Sequence, residues 1–239
     1  MKNTFYKFTK KQQLRKILPT SAFSLVSLFI LGINIFFSSY LQWYFALPLD
    51  SLLIYCTINF ITSTIQLIFY DPGYVEQSDN PYQEICQKCN YRRPQRAHHC
   101  SQCEKCVRKF DHHCDIFQSC IACWNMPYFF KFFMTATIIG LFSVILNLSL
   151  FFYIQDDNKT LCIVPIAAGG LIVLVTIAAG SALWYQPICR DITQVEDLTN
   201  QIIERKSIPD NMKTNLGKLW FMGVLVIGWK FNPQDALIE

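Results

Sequence analysis

Four stretches without a charged residue set the terms for this chain. They lie between Lys16 and Asp50, Asp50 and Asp71, Lys131 and Asp156, and Lys159 and Arg190. Each has room for the ~20 apolar residues that cross a hydrocarbon core. A soluble helix of that length carries a polar stripe, and these segments carry none. The pattern predicts an all-α polytopic membrane protein with four transmembrane helices, at roughly 20–40, 51–70, 132–153 and 161–185.

The basic residues give an orientation. Six precede the first span, eight fall between spans two and three, and six follow span four. The two remaining loops hold only Lys159. Basic residues collect on the cytosolic side of a membrane, so both termini and the segment between spans two and three are expected there.

The chain divides accordingly. Residues 1–16 form a basic cytosolic arm with no acidic residue, either resting on anionic headgroups or serving only as a topology signal. Residues 17–70 carry helices 1 and 2, joined by a short turn at Pro48 and Asp50. Residues 71–130 form a cytosolic module, 131–186 carry helices 3 and 4, and 187–239 form a cytosolic tail. The apolar segment 219–229 is too short to span and is expected at the interface or against the module. Asn34, Asn59 and Gln66 are expected to hydrogen-bond between helices. The first apolar run reads as a retained span, not a signal peptide. No internal repeat stands out.

Between spans two and three lies Cys86 to Asn125, which holds eight of the eleven cysteines and all four histidines. Cytosolic cysteines stay reduced, and close spacing there points to metal. Three C-x2-C steps occur: Cys86/Cys89, Cys100/Cys103 and Cys103/Cys106. Such a step in a tight turn places two thiolates on one ion, and zinc takes four ligands in a tetrahedron. Cys86, Cys89, Cys100, Cys103, Cys106, Cys120, His99 and one of His112 and His113 supply eight ligands, enough for two closed Cys3His sites. Closed sites hold shape and leave no coordination position for chemistry. A module this poor in aliphatic residues needs such metal to fold.

The chemistry therefore falls to what remains. Asp111, one of the adjacent histidines, and Cys114 could form a carboxylate–imidazole–thiol set. The carboxylate orients the imidazole, and the imidazole takes the thiol proton.

These residues carry a resemblance. Asp111-His112-His113-Cys114 resembles the signature of the DHHC-type protein S-acyltransferases, or palmitoyltransferases. The likeness extends over Cys86-x2-Cys89-x3-Arg93-Pro94, His99-Cys100-x2-Cys103-x2-Cys106-x4-Asp111 and Cys114-x5-Cys120-x4-Asn125-x3-Phe129. The Asp71-Pro72-Gly73 turn and the four-span order also look like that family. The resemblance implies Cys114 as the acylated nucleophile, His112 as general base and Asp111 as its orienting partner. It implies one zinc on Cys86, Cys89, His99 and Cys106, and a second on Cys100, Cys103, His113 and Cys120. It places Arg93, Arg96 and His98 toward the phosphates of coenzyme A. Acyl-CoA is then the co-substrate, and the partners are cysteine-containing membrane-associated proteins and the bilayer. The implied location is a membrane of the Golgi, endoplasmic reticulum or plasma membrane.

Two segments depart from the family pattern. Where the family has Pro-Trp and a pair of Asn after the nucleophile, this chain has Asp115-Ile116-Phe117-Gln118-Ser119. A carboxylate beside a thiol raises its pKa, so Asp115 is expected to oppose thiolate formation. The family's Thr-Thr-x-Glu appears as Thr193-Gln194-Val195-Glu196. These departures leave open a zinc-stabilised membrane adaptor with weak or no turnover. Nucleic acid is not expected as a partner, because interleaved sites between spans do not resemble a groove-reading finger. A zinc transporter would need acidic or histidine ligands within the spans, which are lacking.

A fatty acyl chain explains the combination of membrane and module. At ~0.8 kcal/mol per buried CH2, exposing a sixteen-carbon chain costs roughly 11 kcal/mol. The aromatic run Tyr128, Phe129, Phe130, Phe132 and Phe133 is expected mostly as an interfacial belt, with one or two rings lining an acyl cavity.

Overall fold

The computed structural model describes residues 9–75, 83–155, 157–199 and 207–216. The expected apolar segment at 219–229 lies outside them. Four helices are long and apolar enough to cross a membrane: α1 (Lys10–Ser38), α2 (Trp43–Phe69), α3 (Met126–Tyr153) and α4 (Ile163–Gly180). A π-helical continuation, Ser181–Arg190, extends α4. The short helices α5 (Gln194–Leu198) and α6 (Ile208–Leu216) follow. The helices account for most of the fold, with the cysteine-rich module between α2 and α3.

Helix α1 starts within the basic arm. Thr9 caps it through a reciprocal capping box with Gln12. Lys16 is 4% exposed and donates to the Ile68 carbonyl at 2.7 Å. It thus satisfies an unpaired carbonyl at the end of α2 and ties the two helices at the module end.

The turn expected at Pro48 and Asp50 falls earlier, at residues 39–42. Pro48 and Asp50 lie inside α2. The acidic side chain is tolerated there because the Ser38 hydroxyl donates to it at 3.0 Å.

Helix α3 packs against α2 on one side and α4 on the other. The α3–α4 crossing is close: a Cβ at Gly169 would meet the Gly140 carbonyl oxygen at 2.7 Å. Of the three polar residues expected to bridge helices, Asn34 does so. It donates to Ser143 at 3.3 Å and accepts from Asn147 at 2.9 Å. Asn59 instead donates to Tyr55 in its own helix.

The module is three antiparallel hairpins: β1 (Glu84–Cys86) with β2 (Tyr91–Arg93), β3 (His98–Cys100) with β4 (Lys105–Val107), and β5 (His112–Cys114) with β6 (Ser119–Ile121). Each strand recurs fourteen residues on. Each four-residue turn ends in a left-handed residue, at Asn90, Glu104 and Gln118. The absence of a repeat expected from sequence is therefore corrected. The repeat is masked because its ligand pattern decays: Cys86 and Cys89 align with Cys100 and Cys103, and then with Cys114 and Phe117.

Both junctions with the bundle are fixed by polar side chains, half-buried at Asp71 and buried at Asn125. Asp71 Oδ1 accepts from the backbone N–H of Gly73 and Tyr74 at 2.8 and 2.9 Å. Gly73 has φ +110, a conformation glycine adopts without a Cβ clash. Asn125, fully buried, donates to the Cys120 carbonyl at 2.7 Å and accepts from Ala122 N–H at 2.9 Å.

The aromatic run at the start of α3 is not a belt. Its five rings are 0–8% exposed. Phe129 and Phe132 are covered by Phe117, which the β5–β6 turn drives into the bundle, where its ring lies 5.4 Å from Phe23, 5.0 Å from Phe132 and 6.2 Å from Phe129. Phe60 of α2 closes the cluster at 4.7 Å from Phe132. The hairpin carrying Cys114 is thereby pinned onto the ends of α1, α2 and α3.

Candidate active site and metal centres

The hairpin repeat brings the cysteines and histidines into two clusters. One is Cys86, Cys89, His99 and Cys106, the other Cys100, Cys103, His113 and Cys120. Each takes its Cys-x2-Cys turn from one hairpin and its histidine and last cysteine from the next. Within each cluster the ligand atoms lie within 4.8 Å of one another. A tetrahedron with Zn–S of about 2.3 Å has sulfur–sulfur edges of about 3.8 Å. Here Cys89–Cys106 is 3.7 Å and Cys103–Cys120 is 3.4 Å. The Nδ1 to Sγ distances run from 3.1 to 3.8 Å. The size and the donor set fit zinc.

The third hairpin gives His113 and Cys120 to the second cluster, but its turn carries Cys114 and Phe117 where the other two carry a Cys-x2-Cys pair. In the β5–β6 register His113 faces Cys120, toward the second metal cluster. Its neighbours His112 and Cys114 leave the other face, on the side of the helical core. His112 Nδ1 lies 2.7 Å from Asp111 Oδ2, and Asp111 is 1% exposed. This contact puts the Nδ1 proton toward the carboxylate and leaves Nε2 for the thiol.

The electrostatics favour an ion pair. Burial opposes a charge on His112, but hydrogen bonds to Asp111 and Cys114 outweigh it and raise its pKa to about 9. Burial would likewise raise the Cys114 thiol, but the His112 hydrogen bond and the backbone N–H groups of Phe117 and Ile116 bring it below its ordinary value. The same two backbone donors serve Cys86, from Cys89 and Lys88. Cys114 thus occupies the turn position that Cys86 and Cys100 hold in the other two hairpins, with His112 as its partner instead of a second turn cysteine. Asp115 does not decide the outcome at Cys114. Its side chain accepts from Gln102 at 3.4 Å, and the thiol is lowered despite it.

Asp111 is anchored from the tail. Its second oxygen, Oδ1, accepts the Gln194 backbone N–H at 2.7 Å. Gln194 opens α5, where Thr193 and Glu196 form a capping box. Glu196 is 1% exposed and bonded to Arg96. Arg96 also donates to the Asp191 side chain and backbone at 3.0 and 2.8 Å, and Lys109 pairs with Asp191 as well. Burial would raise both carboxyls, but Lys109 and Arg96 on Asp191, and Arg96 on Glu196, hold them below their ordinary range.

The three residues expected toward coenzyme A are therefore placed differently from one another. Arg96 is turned to the tail. Arg93 pairs with Glu84 at 3.2 Å on the module surface. His98 is half-buried, with its Nε2 unpartnered among the described residues, and its pKa is lowered by burial and by Arg93. The anchoring by Gln194, Asp191 and Lys109 was missed from sequence. The Thr-x-x-Glu spacing of a capping box was the available signal.

A family model described as DHHC palmitoyltransferase matches residues 79–201. The curated relatives include palmitoyltransferase ZDHHC3-A of Danio rerio, 30% identical over 165 residues, covering 64% of this chain and 50% of that protein. Palmitoyltransferase PFA3 of Debaryomyces hansenii is 30% identical over 131 residues, with 52% and 32% covered. Palmitoyltransferase ZDHHC3 of Homo sapiens is 30% identical over 151 residues, with 58% and 50% covered. The chain spans about half the length, or less, of the curated relatives it matches.

Proposed function

Because the chain belongs to the DHHC palmitoyltransferase family, we propose that it is a protein-cysteine S-palmitoyltransferase acting through an acyl-enzyme on Cys114. The observation that carries this is the Asp111–His112–Cys114 arrangement on the hairpin face away from the metal clusters. The Cys114 thiolate attacks the thioester carbonyl of acyl-CoA. The carbon–sulfur bond to coenzyme A breaks, and His112 gives its proton to the departing thiolate. In the second step the neutral His112 Nε2 takes the proton of a substrate cysteine. That sulfur attacks the acyl-enzyme, and Cys114 leaves as the thiolate. Two half-reactions on one residue give ping-pong kinetics.

The supports are physical. The thiol sits where the module meets the helix ends, so a fatty chain can lie among the helices while coenzyme A stays in water. Arg93 and His98 are the groups left to meet its phosphates, with Arg96 committed to the tail. Zinc in the two clusters would hold the hairpins in register and take no part in acyl transfer. The basic-residue distribution supports a cytosolic module and cytosolic termini. The setting is a Golgi, endoplasmic reticulum or plasma membrane, and the acceptors are membrane-associated proteins with accessible cysteines.

The test is auto-acylation of purified protein in detergent with labelled palmitoyl-CoA. A hydroxylamine-labile label on the wild type, lost in Cys114→Ser with zinc retained, supports the acyltransferase. No label on zinc-replete wild type favours the adaptor.

A further inference from the structure

Ser119 sits directly across the β5–β6 hairpin from Cys114. Directly paired residues of an antiparallel ladder project from the same face, with Cβ atoms roughly 4.5–5.5 Å apart. The neighbouring pair, His113 and Cys120, faces the second metal cluster, so Ser119 and Cys114 share the opposite face with His112. Ser119 is 2% exposed. Its hydroxyl oxygen is buried and has no hydrogen-bond partner among the described residues. A buried hydroxyl without a partner is destabilising, and a serine in a strand is easily replaced by alanine. A persistent orphan of this kind asks for an explanation, and its position beside the nucleophile supplies one.

We propose that Ser119 is a catalytic residue whose hydroxyl donates a hydrogen bond to the acyl carbonyl oxygen as it becomes an oxyanion. The inference rests on the acyltransferase reading above. When the Cys114 sulfur bonds to the carbonyl carbon, the carbonyl π pair moves onto oxygen. That oxygen must lie within a bond length of the carbon attached to Cys114 Sγ, on the face that Ser119 shares. The hydroxyl is then unpaired in the resting protein and paired in the transition state. Such a donor stabilises the transition state more than the ground state. The same donor serves both half-reactions, since both pass through a tetrahedral carbon on Cys114. Ser119 also lies in the stretch that departs from the family pattern, so it is a feature of this chain's own sequence.

Single-turnover acylation with saturating palmitoyl-CoA tests this, comparing wild type, Ser119→Ala and Ser119→Thr. Removing one oxyanion donor lowers the rate constant by roughly 10²–10³ in a well-formed site. We expect Ser119→Ala to acylate roughly 10- to 100-fold more slowly, with half-saturation by palmitoyl-CoA unchanged. Its zinc content should stay at two and its Tm should be equal or higher, because an unpaired buried hydroxyl has been removed. Ser119→Thr, which keeps the hydroxyl, should be faster than Ser119→Ala. A Ser119→Ala rate within twofold of wild type overturns the proposal. So does a slower rate that comes with lost zinc or a lower Tm, which would assign Ser119 to structure. Absence of acylation in the wild type would instead overturn the acyltransferase reading, and this proposal with it.

Discussion

The backbone N–H of Gln194 donates to Asp111 Oδ1 at 2.7 Å, across 83 residues of chain. The other oxygen of the same carboxylate holds His112. The tail after α4 is therefore part of the site, because it fixes the plane of the carboxylate that orients the imidazole. What holds Gln194 in place is the capping box, and what holds the capping box is Arg96.

Arg96→Ala should accordingly act on stability and on catalysis together. It leaves Glu196 buried without its cation, a loss of about 3–5 kcal/mol for a broken buried pair. Arg93→Ala should not, since its partner Glu84 is a surface carboxylate with an 83% exposed side chain and such pairs contribute about 0–1 kcal/mol. A thermal unfolding series in detergent should show a large drop in Tm for the first variant and almost none for the second. If Arg93 meets coenzyme A, its variant should raise KM for palmitoyl-CoA at an unaltered Tm.

The metal clusters give a clean contrast between two cysteines on one hairpin. Cys120→Ser removes a ligand of the second cluster and should cut bound zinc from two per chain to one while lowering Tm. Cys114→Ser should leave two. Zinc quantified in both purified variants decides it, and loss of zinc from Cys114→Ser would mean that the roles are misassigned.

The ion pair at Cys114 should be visible in its chemistry. The thiol is held below its ordinary value of 9.0, so iodoacetamide should modify Cys114 readily at pH 7. His112→Gln should slow that reaction at pH 7, and the two rates should converge above pH 9. Stability follows the raised pKa of His112, from 6.5 to about 9. A raised folded-state pKa stabilises fully below the unfolded value and is lost above the folded one. The Tm advantage of wild type over His112→Gln should thus be largest below pH 6.5 and shrink as the pH rises toward about 9.

The α3–α4 crossing offers adjacent glycines with opposite expectations. Gly169→Ala would put a Cβ 2.7 Å from the Gly140 carbonyl oxygen, and the overpacking should cost about 1–3 kcal/mol. Gly170→Ala meets nothing within 4 Å and should be neutral or slightly stabilising. Unfolding of both variants side by side checks the helix pairing.

Much of this was legible in the sequence because it rests on local chemistry. Uncharged runs placed the four helices, the cysteine spacing pointed to two four-ligand metal sites, and the resemblance assigned the ligands to them. The resemblance separated His112 from His113, and the hairpin register gives the physical reason. Alternate residues of β5 face opposite sides, so one imidazole goes to metal and the other to Cys114. The repeat was partly visible too, in the twin His-His-Cys triplets at 98–100 and 112–114. It went unseen because the pattern is incomplete at both ends: the first hairpin has Ile85 and Arg92 where the second has His99 and Cys106, and the third has Phe117 where the second has Cys103. Other features depend on tertiary contact and could not be read locally. Burial of Phe129 and Phe132 follows from Phe117 entering the bundle. The commitment of Arg96 to the tail follows from Asp191 and Glu196, about a hundred residues away.

The most direct measurement is the location of the acyl group. Wild-type protein incubated with palmitoyl-CoA, digested, and read by mass spectrometry has eleven cysteines on which the group could appear. The account predicts a thioester-linked palmitoyl group on the peptide containing Cys114, removed by hydroxylamine and by addition of an acceptor thiol. An acyl group found only on Cys123, Cys189 or another cysteine, or none on zinc-replete protein, would contradict it.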